Sequence, residues 1–248
     1  MSTLKRLAAS CAVLVLCTAP AEAQTRARRG VVTLNAAAQA AAAEMTDRHV
    51  FQANAEAGSV ETRYPARTAV LLDGGIGFRF SRRVGAAIAL SRATTSGRAA
   101  VSARVPHPLH DDQDRLVDGE ANDLTWTETA AHLQLFYELP SATRWRVHLF
   151  AGPSYVNREQ ALVREVLVNE TYPFDTATFQ SALTGPAKGS GIGLNLGADI
   201  TWMFRRRTGA GLLLRYTRAS LDLNAPDSRT VSSDGSGLQA GVGLRFTF

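Results

Sequence analysis

The sequence predicts an all-β fold: an antiparallel β-barrel of about eight strands that spans a membrane, with its apolar face outward. Three observations predict it. The last segment alternates to its final residue, with Leu238, Ala240, Val242, Leu244, Phe246 and Phe248 on one face and Gln239, Gly241, Gly243, Arg245 and Thr247 on the other. A period of two marks a strand. Short and long connections then take turns along the chain, which places turns at one end of a barrel and loops at the other. Finally, the apolar faces of the two strands coincide in each of three hairpins, and a slip of one residue would destroy that agreement.

At the N-terminus, Lys5 and Arg6 precede an apolar stretch from Leu7 to Ala19, and Ala21-Glu22-Ala23 offers a small-residue cleavage site. This order predicts a secretory signal peptide over residues 1–23, a short segment over 24–29, and the barrel domain over 30–248. The apolar stretch is too short to span a bilayer. Leu16, before Cys17, is larger than lipoprotein sites accept. Cys11 and Cys17 both lie in the signal, so the mature chain has no disulfide, thiolate nucleophile or cysteine metal site. Taking Lys5, Arg6 and Glu22 from the 27 basic and 22 acidic residues leaves a net charge of about +4. Aromatics do not interleave with this dispersed excess, which argues against nucleic-acid binding.

The first strand is expected at Gly30–Ala40, softly alternating; its alanine-rich end has helical propensity, but a barrel needs an even strand count and a partner for the last strand. Long polar loops are expected near 41–67, 94–123, 161–189 and 222–236, the first with an added strand at Phe51–Ala57. Short turns fall at Ser81–Arg83, Pro140–Arg144 and Arg205–Gly209. Folding the hairpins pairs Phe80 with Val84, Phe78 with Ala86 and Ile76 with Ile88. The next pairs Leu139 with Trp145, Tyr137 with Val147 and Leu135 with Leu149. The third pairs Phe204 with Ala210, Trp202 with Leu212 and Ile200 with Leu214. Pro153 removes a ladder donor and suggests a bulge. Phe78, Phe80, Trp145, Trp202, Phe204, Phe246 and Phe248 near the turns, with Tyr155 and Tyr216 nearer the loops, form two aromatic belts.

The opposite parity fills the lumen with small and charged residues, the reverse of a soluble barrel with an apolar ligand cavity. The predicted pairing sets Asp199 across from Arg215 and Glu138 across from Arg146, and opposite charges facing across a ladder attract. Eight strands leave only enough room for side chains or one small ligand. These pairs, with Asp73, Arg79 and Arg245, therefore read as a structural plug.

Other chemistry is weakly signalled. His107, His110, Asp111, Asp112, Asp114 and Asp118 gather in the second long loop, but their spacing lacks the glycine and terminal glutamate of a calcium loop. A solvated loop is the better account, and no metal or cofactor is expected. His132, His148 and Ser154 are the candidates for lipid-modifying chemistry, yet no G-x-S-x-G motif accompanies them. The glycine-rich 185–197 segment lacks a phosphate-loop ending and leads into a strand.

The terminal Leu244, Phe246 and Phe248 resemble the insertion segment of bacterial outer-membrane barrels, which implies insertion by the barrel assembly machinery. Over residues 30–248 the strand layout, loop asymmetry and terminal Phe resemble the small OmpA/OmpX-type barrels. That resemblance implies short periplasmic turns, long extracellular loops and a monomer in the outer membrane, in contact with its lipids, including lipopolysaccharide. The expected role is non-enzymatic: envelope structure or surface contact. The alternatives are a porin-like or hydrophobic-solute channel and a lipid-modifying enzyme.

Overall fold

The computed structural model describes residues 29–41, 44–140, 144–225, 229–235 and 237–248; the signal peptide expected over residues 1–23 lies outside them. Eleven strands form one sheet: β1 (Gly30–Ala41), β2 (Met45–Ala53), β3 (Glu56–Tyr64), β4 (Thr68–Arg79), β5 (Val84–Pro106), β6 (Asp114–Glu138), β7 (Trp145–Glu170), β8 (Ala177–Met203), β9 (Thr208–Asn224), β10 (Thr230–Asp234) and β11 (Gly237–Thr247). Eight of them close a ring in the order β1-β4-β5-β6-β7-β8-β9-β11, with β11 returning to β1 from Val31–Thr247 to Ala41–Gly237. The expected eight-stranded antiparallel barrel is present, and its first strand is a strand.

The ring's outward face near the short turns is apolar: Leu34, Leu72, Ile76, Ile88, Leu135, Leu196, Leu212 and Val242 are exposed. Alternating outward residues of this kind face lipid, and roughly 9–11 residues of tilted strand cross a bilayer. The aromatic belt residues are exposed as well, from Tyr216 and Phe246 at 39% to Phe248 at 63%. Leu244, Phe246 and Phe248 lie on this face of β11 and its end.

The long polar loops are a correction. Strands β5 to β8 run 23 to 27 residues, far beyond the bilayer, and the segments read as loops are largely the upper halves of strands. On β5 the outward side changes from Ala86, Ile88 and Leu90 to Arg92, Thr94, Ser96 and Arg98, while the inward side changes from Gly85 and Ser91 to Ala99, Val101, Ala103 and Val105. On β9, outward Leu212, Leu214 and Tyr216 give way to Arg218, Ser220 and Asp222, and inward Arg215 and Thr217 give way to Ala219, Leu221 and Leu223. The alternation persists but exchanges sides, because the solvent outside changes from lipid to water.

Above the exchange the barrel is rebuilt. The short strands β1, β4 and β11 stop; β2 and β3 join the upper part of β5, and β10 joins the upper part of β9. Arg229, just before β10, donates to Asp47 on β2 at 2.9 Å and to the Val163 carbonyl at 3.1 Å, holding the two free edges together. This upper tier encloses an apolar core of Val60, Tyr64, Val101, Val117, Leu162 and Leu223, among others. Phe51–Ala57 is not one strand: it contains the β2–β3 turn, where Asn54 and Ala55 take φ of 52° and 67°.

Two hairpin registers shift by two residues while keeping parity. Tyr137 faces Leu149 and Leu135 faces Ala151; Trp202 faces Ala210 and Ile200 faces Leu212. The β4–β5 hairpin keeps Ile76 on Ile88 and Phe78 on Ala86 as expected. Pro153 makes no bulge: β7 runs through it with the same register on either side, His132–Ser154 and Leu135–Ala151. The irregularities lie higher, at Gly97/Ala99, Val163/Glu165 and Leu167/Val168.

Candidate functional site

The candidate site is the lumen of the lower tier and the cavity above it. Every charged residue expected there lies inward, but the partners differ. Asp199 faces Leu213 across the ladder, and Arg215 faces Gly197, because the β8–β9 register is offset by two. Asp199 is instead held by Arg245 of β11, and Arg215 by Asp73 of β4 at 2.8 Å, both acting across the lumen rather than along a hairpin. Glu138 faces His148, not Arg146; its ion-pair partner is Arg79 at 2.5 Å, with His148 at 3.4 Å.

The Asp199–Arg245 and Asp73–Arg215 pairs belong to one connected chain. Thr201 donates to Asp199 at 2.7 Å; Arg245 donates to Asp199 and, at 2.6 Å, to Asn35; Asn35 donates to Asp73 at 2.7 Å. Arg215 continues the chain from Asp73 to Gln239 at 2.5 Å, and Gln239 donates to Gln39 at 2.9 Å. Gln39 donates to Glu128 at 2.7 Å, Glu128 accepts from Arg158 at 2.6 Å, and Arg158 donates to Ser233 at 2.7 Å. Arg215 and Arg245 are each 1% exposed. A buried charge survives only when paired and hydrogen-bonded, and the linked bonds reinforce one another.

Glycine creates the room. A Cβ on Gly211 would lie 2.7 Å from Arg245 Cζ, and one on Gly85 would lie 2.3 Å from the Phe136 ring. Small inward residues are therefore the counterparts of large inward ones. Phe136, Phe150 and Leu213 form an apolar plug at the turn end. Their inward parity is readable from sequence, but parity alone does not show that apolar rings share the lumen with the charged residues. Asn35 and Gln39 were obscured by the soft alternation of β1, and Arg158 by the loop assignment above it.

His132 is sealed in the lumen between Ser91 at 3.1 Å and Ser154 at 2.7 Å, with Asn195 donating to Ser154 at 2.8 Å. His148 lies apart, against Glu138 and the Phe136 ring. The three residues considered for lipid chemistry therefore neither form one unit nor reach the lipid-facing rim. In the upper tier, His107 is buried, stacks on His110 at 4.7 Å and accepts from the Leu109 amide; among the described residues no group of three His, Cys, Asp or Glu could hold a metal ion.

Between the tiers a cavity of about 270 Å³ opens above β1 and β4, lined by Met45, Tyr64, Arg67, Trp126, Arg158 and Ser233, among others. Arg158, in the cavity lining, lies 5.2 Å from the Trp126 ring centroid and pairs with Glu128 at 2.6 Å. Burial pushes the Tyr64 hydroxyl well above its ordinary value and lowers the Arg67 guanidinium. Tyr64 oxygen accepts from the Val163 amide at 2.9 Å.

No protein-family model matches the chain, and no curated protein does. Solved outer-membrane structures are similar in outline. OprG from Pseudomonas aeruginosa is 12% identical, with 90% of this chain and 97% of that one covered and a TM-score of 0.49. The outer-membrane protease OmpT from Escherichia coli is 10% identical over 89% and 97%, with a TM-score of 0.48. The N-terminal β-barrel domain of Pseudomonas aeruginosa OprF is 14% identical over 90% and 100%, with a TM-score of 0.39. The barrel assignment rests on the closed ring and its apolar exterior, not on these likenesses.

Proposed function

We propose that this chain is an outer-membrane barrel whose lumen is closed by its own charged network, and that its role is non-enzymatic: envelope structure or surface contact through the tall upper tier. The observation that carries the reading is the unbroken chain of buried hydrogen bonds and ion pairs from Asp199 to Ser233. A solute passing the lumen would have to break buried pairs, each of which costs about 3–5 kcal/mol to leave half-made. The short turns lie on the periplasmic side, and the upper tier projects outside the cell. Arg92 and Arg218, outward where the lipid face ends, are placed to meet lipopolysaccharide phosphates. Export through a cleaved signal peptide, insertion by the assembly machinery through Leu244, Phe246 and Phe248, and a monomeric state complete the proposal.

A second reading, passage of a small solute, is favoured by the cavity between the tiers, whose lining includes Arg158 of the Glu128–Arg158 pair. Planar-bilayer conductance decides between them. A silent parent with openings in Asp73→Ala and Arg245→Ala supports the closed barrel. Steady parental conductance that those substitutions leave unchanged refutes it and makes solute passage the working function.

A further inference from the structure

The short-turn rim is strongly one-signed. Arg29, Arg82, Arg83, Arg144, Arg205, Arg206 and Arg207 are all exposed there. The acidic side chains at the same end, Glu138 and Asp199, point into the lumen and are held by Arg79 and Arg245. The upper tier, by contrast, is of mixed sign, with exposed Asp111, Asp112, Asp118 and Asp123 beside exposed Arg63, Arg98 and Arg104.

The rim is also built at a definite depth. Phe80, Trp145, Trp202, Phe204 and Phe248 are exposed on the lipid face immediately beside it, and rings of this kind settle at the level of lipid headgroups. Between the β4–β5 and β6–β7 connections a groove of about 280 Å³ is lined by Arg82, Arg83, Arg146, Trp145, Leu139 and Pro140, with Glu138 at its inner edge. Glu138 is already engaged by Arg79 and His148, so it does not cancel Arg82 and Arg83 at the mouth of the groove. Arg83 also reaches the Tyr137 hydroxyl at 3.3 Å, which draws its guanidinium toward the lipid side.

We infer that this groove binds the phosphate headgroup of an anionic phospholipid in the leaflet on the short-turn side, with the neighbouring rim arginines adding attraction. Guanidinium forks match phosphate oxygens. The groove's Trp145, Leu139 and Pro140 supply an apolar flank beside the charge, which fits a headgroup continuous with acyl chains better than a free ion. The inference rests on the chain spanning a bilayer.

The mature protein, folded into mixed phosphatidylethanolamine and phosphatidylglycerol bilayers, is extracted in mild detergent and its retained lipids are measured by native mass spectrometry. Parental protein is expected to retain the anionic lipid preferentially, and the preference is expected to fall about fivefold for each arginine lost in Arg82→Ala/Arg83→Ala. Arg82→Lys/Arg83→Lys keeps the charge and should retain most of it. Equal retention of the two lipids by the parent, or an unchanged preference in the alanine variant, overturns the inference. Displacement of the lipid by millimolar inorganic phosphate would reassign the groove as a free-anion site. Heat-modifiable electrophoretic migration reports insertion separately. A chain that never inserts defeats the membrane reading and this inference with it; an inserted chain without lipid preference defeats only the inference.

Discussion

Single residues in the lumen act through partners far away in sequence. Breaking Asp73–Arg215 by Asp73→Ala should destabilise the barrel by about 3–5 kcal/mol, since it leaves a buried guanidinium half-paired. Denaturant titration in lipid vesicles checks this, and a double-mutant cycle identifies the partner. Coupling should be larger for Asp73 with Arg215 than for Asp199 with Arg215; the reverse result would reinstate the hairpin pairing read from sequence. That pairing shows how far residues alone reach. Parity assigns Asp199, Arg215, Glu138, Arg79, Asp73 and Arg245 to the lumen, but a two-residue register offset leaves parity intact and changes every partner. Tyr64 offers a pH test in the upper tier. Its hydroxyl titrates above the ordinary value near 10, so the stability it contributes is complete below that value and is lost as pH rises beyond it. Protease sensitivity of the tier should rise with alkalinity in the parent and rise less in Tyr64→Phe. Parallel rises would remove Tyr64 as the cause.

Each tall strand is one element in two solvents. A given face of β9 is apolar at Leu212 and polar at Ser220, so one substitution should have opposite consequences along it. Leu212→Arg puts a charge in lipid and should cost about 2–4 kcal/mol near the midplane, whereas Ser220→Arg should change folding free energy little. Vesicle refolding titrations of both variants compare them directly, and equal costs would contradict the exchange of faces. The lower halves of the strands were legible because their pattern matches a known solvent arrangement. The upper halves look like loops in the sequence because their polar residues lie on the side that is apolar below. A period of two survives such a reversal; an expectation of constant polarity does not.

The whole molecule is a barrel of two tiers that share β5 to β9 and exchange the remaining strands, β1, β4 and β11 below for β2, β3 and β10 above. The closed ring of eight strands followed from the sequence; the three further strands of the second tier did not, because its edges meet through Arg229 and Asp47, which lie 182 positions apart. A laddered upper tier should resist proteolysis. Trypsin added to the folded protein in vesicles should leave Arg98, Arg104 and Arg164 uncut for hours, as judged by mass mapping, and rapid cleavage there would mean mobile loops. The closure of β1 on β11 also bears on the order of events in time. The two strands that complete the ring lie at opposite ends of the described chain, so β1 waits with an unpaired edge until β11 is available. Joining such distant segments is slow, because loop closure must come before the contacts that reward it. During that interval the open edge is a template for any other unpaired strand. The nascent barrel is therefore most vulnerable to aggregation just before its last strand arrives, and a helper that holds β1 until then would shorten the dangerous step without adding a single contact to the finished structure.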